Sequence, residues 1–281
     1  MFDTHCHLNF QAFEGRVENL IRFAKETGVN HIVIPGTDLP TSKKAIEIAE
    51  KYEGVYAAVG IHPHHVFKIY NARQRNFLSQ RGPLRPESEK NLLPSLSKLL
   101  TNQKVVAIGE VGIDRHYYEK TKHKDYKVDE EFVDLQKEFF IEQVKLAIKY
   151  EKALIVHNRE AKKDVLEILE KVWEKKLEGR VVFHCCEPDE ELLEFARGHK
   201  MFIGVDGDLV YWKQKQEFIK KVPLEMLVLE TDSPYLSPFR KFPNEPKNIA
   251  YIAEFVAKLR GITKQEVVKI TTENAIRLFN I

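Results

Sequence analysis

Residues 153–176, ALIVHNREAKKDVLEILEKVWEKK, hold in one stretch the unit from which the whole chain is built. The short apolar run of Ala153, Leu154, Ile155 and Val156 has the length and composition of a strand, and it stops at His157. Beyond it, Val165, Leu166, Ile168, Leu169 and Val172 recur at intervals of three and four, which lines them along one side of a helix. The same order recurs in both directions. Upstream lie FDTHCH with VENLIRFAKETG, HIVIPG with KKAIEIAEKYEG, VYAAVGIH, and VVAIGEVG with FVDLQKEFFIEQVKLAIKY. Downstream come VVFHCC with DEELLEFARGHK, MFIGVD with QEFIKKV, and MLVLETD with AYIAEFVAKLRG. Repeated strand–helix units make a parallel sheet, and this number of them predicts a single-domain TIM (β/α)8 barrel over residues 1–281. A doubly wound sheet is the alternative; it seldom needs as many units and does not close to bring the first and last strands together.

The strand ends carry the chemistry. In MFDTHCHL the side chains of His5 and His7 point to one face of a strand and Cys6 to the other, so two imidazoles can share one ion. VVAIGE ends in Glu110, ALIVH in His157, VVFH in His184 and MLVLETD in Asp232. Parallel strands of one barrel bring their C-terminal ends to one region, where residues far apart in sequence become neighbours. His5, His7 and Asp232 are therefore expected to form one site and His157 and His184 a second, with Glu110 as the carboxylate that touches both. Such a bridge holds two divalent ions about 3.5 to 4 Å apart, an arrangement that activates water for hydrolysis. The mixed imidazole and carboxylate donors suit zinc or manganese and leave magnesium open. Asp232 is the expected proton acceptor; its rival reading is the N-cap of a turn or helix opening at Ser233-Pro234. In GIHPHH, Pro63 is expected to keep an extended turn from which His62 or His64 faces the site as a phosphate contact. His31, His116, His123 and His199 have no such setting.

Composition bounds the rest. Lys and Arg total 44 against 42 Asp and Glu, so no global field marks a protein that coats nucleic acid, and any polyanion must be gripped locally. No apolar run approaches the roughly 18 residues of a membrane span, and Met1 leads almost directly into the first strand, so no membrane contact and a cytoplasmic location are expected. Cys6, Cys185 and Cys186 are odd in number and form no disulfide framework; alternation is expected to turn Cys6 and Cys185 away from the metal face into packing.

Two segments break the rhythm. The polar stretch from Lys68 to Asn91, within an excursion at about 66–93, carries Arg73, Arg75, Arg81 and Arg85 with no acid before Glu87. It reads either as a solvated loop or as a phosphate-contacting flap on the third βα loop. HYYEKTKHKDYKVDEE, after the fourth strand, interleaves aromatics and cations on the same face. Near the C-terminus, Thr263 before Lys264, Gln265 and Glu266 predicts the capped start of a last helix.

Taken in order, DTHCHL, GIHPH, GEVGID, VHNREA, FHCC, LETDSPYLSP, NEP and TTENAIRLF resemble the successive motifs of the TatD family of metal-dependent deoxyribonucleases, within the amidohydrolase superfamily. The resemblance runs the length of the chain. It implies a TIM barrel, a divalent-metal site made from His5, His7, Glu110, His157, His184 and Asp232, and hydrolysis of DNA phosphodiesters, often as an exonuclease on single-stranded or end-bound DNA. Arg159 in VHNREA and Arg240 in FRKFPNEP match positions expected to hold substrate phosphate. Two other readings stand beside it. Relatives on the same barrel hydrolyse small esters, lactones or amides, often with a carboxylated lysine on the fourth strand, where this chain has Glu110 and no lysine between Val105 and Asp114. A binding module with structural metal would call for a closed, thiolate-rich set, which this is not.

Overall fold

The computed structural model describes residues 1–78, 91–119 and 126–281. Eight parallel strands follow one another in sequence order: β1 (Phe2–Asp3), β2 (His31–Pro35), β3 (Val55–Val59), β4 (Val105–Asp114), β5 (Ala153–Arg159), β6 (Val181–Phe183), β7 (Phe202–Val205) and β8 (Leu227–Leu229). The ring is completed where the first strand meets the last. The Thr4 amide donates to the Leu229 carbonyl at 3.0 Å, the Asp232 amide to His5 at 2.9 Å and the His7 amide to Ser233 at 2.7 Å. Asp3, wholly buried, adds side-chain bonds across that seam, accepting from the Thr231 amide at 2.9 Å and its hydroxyl at 2.7 Å. This is the TIM barrel predicted from the strand–helix rhythm.

Helices α1 (Val17–Glu26), α2 (Leu39–Lys51), α3 (Pro63–Leu78), α4 (Leu92–Leu99), α5 (Glu130–Tyr150), α6 (Lys162–Val172), α7 (Glu190–Gly198), α8 (Lys213–Lys221), α9 (Ile249–Arg260) and α10 (Lys264–Phe279) surround it. Alternation along the strands divides the core. Ile32 and Ile34 join the helix residues Leu20, Ile21 and Ala45 in one cluster, while Val33, between them, belongs to a second. That second cluster takes Ala58, Ala107, Ile155, Val182 and Val228 from other strands, so it lies on the opposite face, inside the barrel. It is closed by Leu278 and Phe279 of α10, with Phe2 stacked on Phe279 at 5.6 Å between centroids. The end bearing β1's first residue is thus plugged, and the C-terminal strand ends remain for the site.

Short polar residues start several helices, as the sequence leads one to expect. Thr263 accepts from the Glu266 amide at the start of α10, and Asp38, Asp129 and Asp189 cap α2, α5 and α7. The polar excursion at 66–93 is a correction in part, since its described residues through Leu78 are helical. Pro63 opens α3 at a position where its missing N–H costs nothing, in place of the expected extended turn, and Val66, Phe67 and Tyr70 bury one side of the helix. Arg73 on that helix pairs with Glu138 of α5 at 3.2 Å. Arg81, Arg85 and His123 lie outside the described residues, as does the Arg75 side chain.

Candidate metal centre

Glu110 occupies the middle of the site because β4 is the longest strand and runs past its neighbours. The pairing of β4 with β5 shifts between Ile108 and Val111, and the Glu110 amide leaves the ladder to bond the Gly36 carbonyl at 2.9 Å. Two residues on, Gly112 takes φ 148°, and a Cβ there would fall 1.9 Å from the His157 carbonyl oxygen. Only glycine lets β4 and β5 run this close, which sets His157 beside Glu110.

The two carboxylate oxygens of Glu110 face different groups. Oε2 lies 3.5 Å from His5 Nε2 and 3.6 Å from His7 Nε2. Oε1 lies 2.8 Å from His157 Nδ1, 3.5 Å from His62 Nε2 and 3.7 Å from His184 Nε2. Asp232 closes the first group, its Oδ1 3.7 Å from His5 Nε2 and 3.5 Å from His7 Nε2. The donor atoms of His5, His7 and Asp232 fall within 4.8 Å of one another, as do those of His62, Glu110 and His157, and those of His5, Glu110 and His184.

One detail of the expected partition changes. His184 was expected with His157, but its ring stacks on His5 with centroids 3.5 Å apart, and its Nε2 is 3.9 Å from Asp232 Oδ1. It stands between the two groups, and His62 takes the place beside His157. The His184 amide still bonds the Val156 carbonyl of β5 at 3.0 Å, and Glu230 Oε2, 3.2 Å from Nδ1, orients the ring.

Charge in this cluster is set by burial and by close neighbours. Burial opposes ionisation of Glu110, yet His62, His157 and His184 hold its carboxyl well below the usual range. Burial likewise opposes charge on His157, and its bonds to Asp114 and Glu110 outweigh that, raising it to about 10. His184 is raised to about 9 by Glu230 and Glu110 against the same opposition, while burial and the adjacent His184 lower His5 to about 4. A cluster of buried imidazoles around carboxylates thus recruits positive charge. His5 and His7 bring their Nε2 atoms to 3.1 Å of each other, where one ring can donate to the other, and both Nδ1 atoms are buried without a hydrogen-bond partner. Convergent nitrogen and carboxylate donors of this kind fit divalent cations.

A supporting layer escaped the reading of strand ends. Glu230 Oε2 lies 3.2 Å from His184 Nδ1, and its Oε1 accepts from the Cys185 amide. Asp114 Oδ2 lies 3.1 Å from His157 Nε2 and accepts from the Tyr118 hydroxyl at 2.8 Å. Carboxylates behind ligating imidazoles fix their orientation and raise their basicity. The signal for Glu230 was available, since it lies two residues before Asp232 in LETD, on the alternate count along the chain.

Of the expected substrate contacts, His62 is in the cluster itself. His64 packs on Tyr126 with centroids 5.0 Å apart, and Arg159 bonds the Tyr118 hydroxyl at 3.0 Å, so both belong to the wall that also holds Asp114. Arg240 is exposed and sits over the Tyr211 ring at 4.5 Å. Asp232 caps no helix, and its backbone takes φ 48°. Cys6 is buried in the core as expected, but Cys185 is a correction. At φ 45°, after β6 has ended, it no longer follows strand alternation, and its sulfur lies within ligand distance of His184 and Asp232. Lys215, wholly buried, bonds Asp206 and Asp208 at 2.6 Å each and anchors the segment after β7 behind this region.

Among the described residues no helix is long and apolar enough to cross a membrane. The family model described as TatD related DNase matches residues 2–280. The chain is 34% identical over all its length to YabD of Bacillus subtilis strain 168, named an uncharacterized metal-dependent hydrolase, covering 99% of that protein. It is 28% identical to human deoxyribonuclease TATDN3 over 99% of its length and 94% of the relative's. Its fold matches the crystal structure of YJJV, a TatD homolog from Escherichia coli K12, with a TM-score of 0.82 and 27% identity over 100% of this chain and 98% of that one. With the family model spanning nearly every residue and a barrel that superposes end to end on a family member, the chain belongs to the TatD related DNase family of metal-dependent hydrolases.

Proposed function

We propose that the chain is a divalent-metal-dependent deoxyribonuclease that hydrolyses DNA phosphodiester bonds, acting as an exonuclease on single-stranded or frayed ends. The observation that carries this reading is the two-sided contact of Glu110, with one oxygen toward His5 and His7 and the other toward His62, His157 and His184. Held there, two divalent ions would supply Lewis acidity and an activated water, with magnesium, manganese or zinc as the candidates. The remaining work falls to the chain. Asp232 takes up the proton of the attacking water, a contribution of about 10² to 10⁴ in rate. Glu230 and Asp114 hold His184 and His157 in their working orientation. Arg159, fixed by Tyr118, offers a cation to the substrate backbone.

The deoxyribonuclease name borne by TATDN3 supports DNA as the substrate. So does a glutamate on β4 where ester and amide hydrolases of this barrel often carry a modified lysine. The test is to strip the protein of metal, restore magnesium, manganese or zinc in turn, and offer labelled single-stranded and double-stranded DNA, RNA and a panel of small esters and amides. Shortening of DNA from one end is expected with at least one ion. Turnover of the small esters or amides with no nucleic acid cut would overturn the reading in favour of a small-molecule hydrolase.

A further inference from the structure

Aromatic residues run without a gap from the metal-binding cluster to the surface. His7 stacks on Phe10, centroids 4.2 Å apart and planes 17° from parallel. Phe10 meets the edge of Tyr235 at 6.4 Å, and Tyr235 meets Phe242 at 6.2 Å. Exposure rises outward, with Tyr235 at 49% and Phe242 at 70%. Phe242 closes the segment Phe239-Arg240-Lys241-Phe242, in which Phe239 is also 48% exposed and the two cations face solvent. Lys241 makes no ion pair with any described residue.

Large rings this exposed are costly on a surface that has no use for them, and these are contiguous with a site that must take a substrate strand. They are also held in place. The Tyr235 amide bonds the Asp232 carbonyl at 2.8 Å, and the buried Asn244, just past Phe242, donates to the Thr231 carbonyl at 2.8 Å and bonds back to Pro234 through its amide. A fixed platform loses little freedom when a ligand binds. Flat rings interleaved with cations match one chemistry, the stacked bases and phosphates of a single-stranded nucleic acid.

Resting on the nuclease reading above, we infer that Tyr235 and Phe242 form a stacking platform for the unpaired bases next to the scissile phosphate, with Arg240 and Lys241 along the backbone. The site thereby selects single strands over duplex, whose bases cannot leave their own stack to reach the rings. A small ester has nothing to place there.

The test uses a fluorescent single-stranded DNA of mixed sequence, the same strand with abasic positions at its terminal nucleotides, and a blunt duplex. Affinity is measured on the metal-free protein and cleavage on the metal-loaded one. Stacking of one base accounts for about 5- to 150-fold in affinity. Phe242→Ala should weaken single-strand binding by that order, Phe242→Trp should restore it, and neither should alter binding of the abasic strand. Tyr235→Leu should act in the same direction. Unchanged affinity in both Phe242→Ala and Tyr235→Leu, or an equal loss on the abasic strand, would overturn the platform. A wild-type protein that cuts no nucleic acid yet binds single strands through Phe242 would sink the nuclease reading and leave the platform standing. Failure of the wild type to bind single strands at all would overturn the platform.

Discussion

Asp232 stands in the left-handed region of backbone space, which Asn also tolerates, and its side chain faces His5 and His7 while capping no helix. Asp232→Asn should therefore keep the fold and lose the chemistry. Hydrolysis is expected to fall by about 10² to 10⁴, while the melting temperature of the metal-free protein stays within about 2 °C. Retained activity with a lowered melting temperature would return Asp232 to a structural role. Glu230 acts one layer back. Glu230→Gln keeps the shape and removes the charge next to His184 Nδ1, so affinity for the more weakly held ion should drop about 10- to 100-fold in a metal titration. An unchanged titration would show that His184 needs no such support. At this scale the gathering of His5, His7, Glu110, His157 and Asp232 was legible, because each ends an apolar run and parallel strands bring such ends together. Cys185 went astray because β6 stops at Phe183, and alternation cannot be counted past a strand that has already ended.

The elements that carry these residues are joined by polar contacts whose removal has separable effects. Thr263 caps α10 at its exposed start, far in sequence from every ligand but Asp232, and Thr263→Ala should cost about 1 kcal/mol and leave turnover unchanged. A loss of activity in that variant would mean that α10 communicates with the site. Arg115, just past β4, holds Asp164 in the first turn of α6 through two hydrogen bonds, at 2.6 and 3.1 Å. Those bonds, with help from Lys137, lower Asp164 to about 2 from an ordinary 3.8. A carboxyl depressed in the folded state adds stability at pH values above its unfolded value and loses it as the pH falls from about 4 toward 2. The melting temperature of the metal-free protein should fall across that window, and Arg115→Met should flatten the fall; an identical slope in the variant would refute the assignment. Helix positions were largely legible because apolar spacing alone decides them. The polar start of α3 was not, since Pro63 serves equally to stiffen a turn and to open a helix, and the burial of Val66, Phe67 and Tyr70 that selects the helix is a tertiary fact.

Across the whole molecule, closure of the barrel is what makes a site. β1 and β8 are both short, and their seam depends on Asp3, Thr231 and the amides of Thr4, His7 and Asp232, so the residues that close the ring are interleaved with those that gather at its mouth. A doubly wound sheet with the same strand endings would leave His5 and Asp232 at separated strands. The count of strand–helix units made closure legible in the sequence, whereas the sharing of His184 between the two groups follows from distances only the folded ring supplies. The central claim is that Glu110 joins two metal positions. Its most direct test is the metal content per chain, by elemental analysis after loading with manganese and removal of free ion, in the wild type and in Glu110→Gln. We predict about two ions per chain in the wild type and at most about one in the variant, with hydrolysis lost. Equal stoichiometry and equal activity in the two proteins would contradict it.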